Sequence, residues 1–324
     1  GALWTVLCTY PLMVAVQLVA ARIGRVTGRG LAANLCLAYP RRAVLPLVAG
    51  LLVANVVNIA ADIAAMADAL ELVAGGSSHV YAVAFGLGSA ALQVFVPYRR
   101  YAHLLKWLTL SLFAYVGVVL VVEVPWREVL WATLVPRVEF SAAFLAIVVA
   151  IFGTTISPYL FFWQASQEVE EQRAVTHTRP LRQDPAPAMK QLRQLRFDTL
   201  IGMGFSNAIA FFIMLTAAVT LYANGVRDIT SSAQAAEALR PIAGQFAFLL
   251  FSLGIIGTGL LALPVLAGSA GYALGEVLKL PVGLYRQPKS ARGFYGVIVV
   301  ATLLGIAFDL AGVSPMRALV IAAL

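Results

Sequence analysis

Gly153-Thr154-Thr155-Ile156-Ser157-Pro158 lies at the centre of a mostly apolar stretch running from Phe140 to Glu171. A helix in hydrocarbon must satisfy its own backbone polar groups, because no water is there to do so. A glycine and a proline five residues apart, with Thr154, Thr155 and Ser157 among them, oppose that arrangement and free carbonyls around Gly153 and Thr154. Backbone unwound at that depth is tolerated where it lines a cavity or is buried in protein, and transporters hold substrates in such places. Gly153, Thr154, Thr155 and Ser157 would offer only hard oxygens, which suit Mg²⁺, Ca²⁺ or Mn²⁺. The competing reading is a proline kink whose hydroxyls bond back to helix carbonyls.

Two further groups have informative spacing. Asn55, Asn58 and Asp62 recur at intervals of three and four, which puts them on one face of a helix. A carboxylate near mid-membrane costs roughly 3 kcal/mol or more and so faces the bundle interior or water. Asp62 reads either as a metal or proton relay, with Asn55 and Asn58 as its polar companions, or as an interhelical hydrogen-bond anchor. Gln164, Gln167, Glu168 and Glu171 form a second stripe beyond the break. That stripe is either a hydrated pathway toward the cytoplasm or a solvated helix end. Gln17, Gln93, Ser206 and Asn207 stand singly in apolar runs, the usual pattern of packing hydrogen bonds.

These residues need membrane helices to position them. Of the 324 residues, 61% are hydrophobic and 12% charged, about half the charged fraction of a soluble domain. A span takes about 20 apolar residues. Nine such runs are visible, at 2–21, 43–70, 79–97, 102–122, 141–172, 197–222, 243–278, 293–311 and from 315 onward. Two exceed one crossing. The break accounts for the first, and the glycines and Pro264 of 243–278 predict a kink and close helix packing there. Residues 173–196, with three prolines and mixed charge, read as a flexible connector, and Ser231–Leu239 as a short amphipathic surface helix.

The formal charge is +8, but the basic residues lie between spans, so they set orientation and do not point to nucleic acid. Eighteen Lys and Arg fall in the loops after the first, third, fifth and seventh runs; five (Arg127, Arg137, Arg227, Arg240 and Arg317) fall on the other side. The eighteen-residue side is therefore expected to be cytoplasmic, with Gly1 outside. An external start inside an apolar run predicts one missing earlier span, and Leu324 also stops within a run, so a single transporter domain over 1–324 is expected to lack its first span and the end of its last. With that span added, the broken helix becomes the sixth, the position at which a 5 + 5 inverted repeat places one of its two broken helices.

Other chemistries find little support. His79, His103 and His177 share no metal-ligand spacing, and Cys8 and Cys36 are expected on opposite sides, with no disulfide. No zinc-protease, phosphate-loop or nucleophile-elbow motif occurs, so an enzyme is not expected.

The chain resembles the NRAMP family of divalent-metal transporters over essentially its whole length. The resemblance rests on Leu3-Trp4-Thr5-Val6-Leu7, on Arg22-Ile23-Gly24-Arg25-Val26-Thr27-Gly28-Arg29-Gly30-Leu31, on Ser157-Pro158-Tyr159, and on Phe197-Asp198-Thr199-Leu200-Ile201-Gly202. It implies an all-α polytopic membrane protein with the LeuT-type inverted-repeat fold. The family's metal-binding Asp-Pro-Gly-Asn motif on the first helix has no counterpart here. On the sixth helix the resemblance puts Thr154 where the family has Ala, Ser157 where it has the Met thioether, and Tyr159 where it has His. Asp62 falls on a proton-pathway Asp, but Ala65 stands where a Glu is usual, and 293–311 carries no Arg. This pattern is similar to the family's divergent magnesium-transporting branch, which is not proton-driven.

The implied function is alternating-access transport of a hard divalent cation, Mg²⁺ or Mn²⁺, without proton coupling. The alternatives are a proton-coupled Mn²⁺/Fe²⁺ symporter and an organic-solute carrier on the same fold, since fold is not function. No permanently bound cofactor is expected; the metal ion is the substrate. The expected partners are the lipid bilayer and that ion, in a monomer located in a bacterial inner membrane.

Overall fold

The computed structural model describes residues 2–96, 98–174, 179–222, 225 and 232–312. The run from 315, Ser231, His177, Arg227 and Arg317 lie outside them. The described residues form twelve α-helices and no strand: α1 Thr5–Thr27, α2 Leu31–Ala38, α3 Arg41–Ala74, α4 Ser78–Phe95, α5 Tyr98–Leu108, α6 Phe113–Val121, α7 Trp126–Leu134, α8 Ala142–Thr155, α9 Pro158–Ala174, α10 Ala188–Thr216, α11 Ser232–Val277 and α12 Arg292–Leu310. Seven segments among them are long and apolar enough to cross a membrane, and Leu105–Val121 is a shorter apolar helix. The protein is thus an integral membrane protein, and eight of the nine runs expected from the sequence are accounted for.

The helix α11 is the hub, packing on α3, α12, α9, α6 and α2. Between membrane helices apolar burial adds little, and close approach through small residues does more. Gly254 lies against Tyr115, Gly259 against Met66, Gly268 against Trp163 and Gly271 against Phe294. The run 243–278 does kink, at Gly244 (φ 82°, ψ 174°), while Gly254, Gly259, Gly268 and Gly271 keep helical backbone and serve packing. The main apolar cluster joins Ile59, Ile63 and Met66 of α3 to Leu263 and Leu266 of α11 and to Phe294 and Ile298 of α12.

The junction between α1 and α2 explains the Arg-x-Gly-x-Val-Thr-Gly run. At Gly24 a side chain would strike the backbone carbonyl of Ala165, so α1 and α9 meet there nearly backbone to backbone. Gly28 ends α1 in the left-handed region (φ 65°) with its N–H donating to Gly24 O. Segment 173–196, expected to be a flexible connector, is anchored where it is described. The N–H groups of Leu181 and Arg182 donate to Arg25 O (3.3 Å) and Val26 O (3.0 Å) in the last turn of α1, Arg25 O also accepting from Gln172 Nε2, and α10 already begins at Ala188.

One prediction arises here. Gly24→Ala should destabilise the protein by about 1–3 kcal/mol, the usual cost of overpacking, because the obstructing atoms are backbone and cannot swing aside. Thermal unfolding in detergent, with Gly50→Ala as the control at an open position, measures it.

Candidate functional site

The long apolar run breaks where its sequence requires. Helix α8 ends at Thr155, Ile156 leaves helical geometry (φ −107°, ψ 55°), and α9 starts at Pro158. Pro158 has no N–H for the Thr154 carbonyl four residues back. The Ser157 hydroxyl supplies the missing donor, lying 2.7 Å from Thr154 O and 3.0 Å from Gly153 O. Thr155 Oγ1 donates to Ile151 O at 2.6 Å. Back-bonding hydroxyls and a true interruption therefore coexist, and the break spans two residues rather than six.

Gly153, Thr154, Ser157, Pro158, Tyr159 and Phe162 face Ala54, Asn55 and Asn58 of α3 across a cavity of about 290 Å³, which Leu35 of α2 also lines. The structure thus joins two features that the sequence presented separately. No sulfur atom lines this cavity among the described residues. Thr155 is the exception within the predicted set: its hydroxyl turns into its own helix and the residue does not line the cavity. Asn55 is 1% exposed; its Nδ2 donates to Leu266 O (2.9 Å) and Ser269 Oγ (2.7 Å), while its Oδ1 is buried with no hydrogen-bond partner among the described residues. Asn58 Nδ2 bonds back to Ala54 O at 2.7 Å, which turns its Oδ1 away from its own helix.

Asp62 shares the α3 face with these two but does not line the cavity. It lies within electrostatic reach of the Tyr159 and Tyr115 hydroxyls. The ion pairs among the described residues are Arg25 with Glu168 and Glu171, and His79 with Asp309; Asp62 has none. Ala65, where the resemblance expects a Glu, packs against the apolar cluster of Tyr115, Phe248 and Phe251. Asn55 and Asn58 therefore line the cavity directly, and Asp62 adjoins it through Tyr159.

The polar stripe of α9 lines a second cavity of about 650 Å³, between α1, α9 and α10. Gln164, Glu168 and Glu171 face it together with Gln17, Arg25, Gln191 and Asp198; Gln167 does not. This chamber occupies the face of α9 turned to α1 and α10, whereas the break cavity lies on the face turned to α2 and α3. Arg25 holds Glu168 (Nη2–Oε2 2.5 Å) and Glu171 (2.8 Å). Gln17, read from sequence as a lone packing residue, donates from Nε2 to Gln164 Oε1 (3.3 Å) and Leu160 O (3.4 Å).

Two carboxylates lie outside the residues predicted from the sequence as a site, because neither belongs to a stripe. Glu170, 6% exposed, accepts from Tyr272 Oη (2.5 Å), Leu284 N (2.9 Å) and Tyr285 N (3.3 Å), tying the segment before α12 to α9. Glu276 accepts from Ala33 N (2.9 Å), completing the α2 N-terminus that Gly30 leaves without a side-chain cap. The one available signal was that Glu276 is the sole acidic residue of the apolar run 243–278.

A family model described as "Natural resistance-associated macrophage protein-like" matches residues 2–324. The chain belongs to the Nramp family. Nramp proteins are transporters and not enzymes. Among Nramp relatives, a protein named divalent metal cation transporter MntH from Caldanaerobacter subterraneus is 23% identical over 334 residues, covering 98% of this chain and 72% of that protein. One of the same name from Pectobacterium carotovorum is 25% identical over 266 residues, covering 80% of this chain and 60% of that protein. A crystal structure of the Eremococcus coleocola manganese transporter, in complex with an aromatic bis-isothiourea compound, superposes with a TM-score of 0.72 at 17% identity, covering 99% of this chain and 68% of that one. The all-helical arrangement is the LeuT-type fold of Nramp transporters.

Proposed function

We propose that this Nramp protein moves divalent metal cations across the membrane by alternating access, and that its ion is hard, Mg²⁺ or Mn²⁺, carried with part of its water shell. The single observation behind this reading is that the cavity at the break is lined by oxygen, nitrogen and carbon but, among the described residues, by no sulfur. Among the described residues no three carboxylate, imidazole or thiol groups lie close enough to ligate one ion directly. Mg²⁺ tolerates that poverty of ligands because it dehydrates reluctantly and keeps several waters. Six waters at roughly 30 Å³ each occupy about 180 Å³, which the cavity of about 290 Å³ accommodates. Gly153, Thr154 and Ser157 would meet the ion or its waters on one side, Asn55 and Asn58 on the other. Gln164, Glu168 and Glu171 would line water on the cytoplasmic side, reached once α9 shifts relative to α1. The location proposed is a bacterial inner membrane, with the basic loops cytoplasmic and the protein monomeric.

Uncoupled transport is favoured because Ala65, packed among Tyr115, Phe248 and Phe251, provides no second carboxylate beside Asp62 to pass a proton on. Proteoliposomes containing the protein and an internal pH dye should take up Mg²⁺ or Mn²⁺ with no acidification, and Asp62→Asn should leave that null pH response in place. Acidification that tracks metal entry and disappears in Asp62→Asn would establish the proton-coupled symporter instead. Uptake of an amino acid with no metal flux would establish the organic-solute carrier.

A further inference from the structure

Two stretches far apart in sequence, Leu37-Ala38-Tyr39-Pro40-Arg41-Arg42 and Val277-Leu278-Lys279, meet at one corner of the protein. The first joins α2 to α3 and the second ends α11; Arg41 Nη2 donates to Val277 O at 3.3 Å between them. Arg41, Arg42 and Lys279 are all exposed, and so are the large apolar side chains beside them: Leu37 is 68%, Tyr39 60% and Leu278 52% exposed. Cations and apolar groups thus share one surface at the ends of two membrane helices.

No carboxylate of the protein answers these charges. The ion pairs among the described residues involve none of Arg41, Arg42 and Lys279. No acidic residue occurs in 1–61 or in 277–308. Glu276, the nearest carboxylate in sequence, is turned to α2 and accepts from Ala33 N at 2.9 Å.

The local backbone opposes the residues chosen here. Lys279 lies in the left-handed region (φ 59°), just past α11, with its N–H donating to Glu276 O (3.2 Å) and Leu280 N to Gly275 O (2.8 Å). Glycine is the usual residue at that position, because a Cβ is disfavoured in this conformation. Arg41 and Arg42 occupy the first turn of α3, where the helix dipole disfavours cations. Orientation in the membrane needs basic residues somewhere in these loops, and does not require them at three positions where local structure favours other types. Local rules broken together at one place point to a role that outweighs them.

We propose that this corner binds an anionic phospholipid of the surrounding leaflet, its phosphate headgroup against Arg41, Arg42 and Lys279 and its upper acyl chains against Leu37, Tyr39 and Leu278. Basic side chains at headgroup level beside tyrosine and leucine suit that partner. A soluble anion would meet the charges and leave the apolar half of the surface uncovered. Leu35, on the same short helix as Leu37, lines the break cavity, so the lipid rests on an element of the proposed transport site. The lipid site itself stands whichever ion is carried.

The test is thermal unfolding of the protein in neutral detergent micelles as dioleoylphosphatidylglycerol, dioleoylphosphatidylcholine or inorganic phosphate is added. The anionic lipid should raise the unfolding temperature by about 4 °C or more beyond the zwitterionic one. Arg42→Gln with Lys279→Gly should remove most of that difference. Lys279→Gly alone should leave the lipid-free unfolding temperature unchanged or higher, since glycine accepts the left-handed backbone, so a lost response is not a lost fold. Arg182→Gln with Lys190→Gln removes the same charge from two other exposed positions and should keep the full response. Equal responses to the two lipids, a response that inorganic phosphate reproduces, a full response in Arg42→Gln with Lys279→Gly, or equal losses in the two double variants would each overturn the proposal.

Discussion

Ser157→Met should raise the Cd²⁺-to-Mg²⁺ flux ratio at least ten-fold, about 1.4 kcal/mol of selectivity, because it places the first sulfur in a cavity lined only by oxygen, nitrogen and carbon. Soft thioethers favour soft cations and offer nothing to Mg²⁺, whose preference for oxygen is strict. The substitution also removes the hydroxyl that bonds to Gly153 O and Thr154 O, and freed carbonyls alone could alter binding. Ser157→Ala isolates that effect: it frees the same carbonyls and adds no sulfur, so its flux ratio should stay within about three-fold of wild type. Radiotracer uptake of both ions into proteoliposomes measures the two variants side by side. If Ala and Met behave alike, the chemistry of the side chain at 157 is irrelevant to selectivity and the oxygen-only account of the site is wrong.

Much of the fold was legible because membrane insertion imposes simple rules. Apolar length is read directly from composition, and the helices over 5–27, 41–74, 78–95, 188–216 and 292–310 each overlap an expected run. The break was legible for the same reason: Pro158 cannot donate to Thr154, whatever surrounds it. What could not be read depends on contacts distant in sequence. Composition does not say which glycine of 243–278 bends the helix and which admit neighbours: Gly244 bends it, and Gly254, Gly259, Gly268 and Gly271 meet Tyr115, Met66, Trp163 and Phe294. The connector after α9 looked mobile because proline and mixed charge resemble a linker, yet the carbonyls of Arg25 and Val26 capture its backbone.

The candidate site was read in pieces and assembled only in three dimensions. Periodicity placed Asn55, Asn58 and Asp62 on one face, which holds, but a face is wide enough to serve two neighbours. Asn55 and Asn58 line the cavity at the break, while Asp62, one turn further along α3, lies within electrostatic reach of Tyr115 and of Tyr159, which lines that cavity. Thr155 was grouped with Thr154 by adjacency, although neighbouring helical residues point about 100° apart, and its hydroxyl closes on Ile151 instead. Gln17 had no periodic partners on its own helix, so nothing local distinguished it; its partners are Leu160 and Gln164, more than 140 residues away.

The same long-range pairing makes Arg25→Ala the most damaging single change expected outside the break. Arg25 and Glu168 have side chains only 16% and 8% exposed, and the guanidinium also reaches Glu171. Removing one member of a buried pair leaves the other charge without compensation, at a cost of about 3–5 kcal/mol. Gln164 would be the remaining side-chain donor to Glu168. The double variant Arg25→Ala with Glu168→Gln should recover most of that loss, since a neutral amide has no stranded charge; no recovery would mean that Arg25 acts through the packing of its aliphatic stem. A second readout connects stability to binding. With Arg25 gone, Glu168 and Glu171 face the chamber unopposed, and millimolar Mn²⁺ should raise the unfolding temperature of Arg25→Ala by more than it raises that of the wild type. The difference between those two shifts measures how far a guanidinium and a divalent cation exclude each other from the same pair of carboxylates.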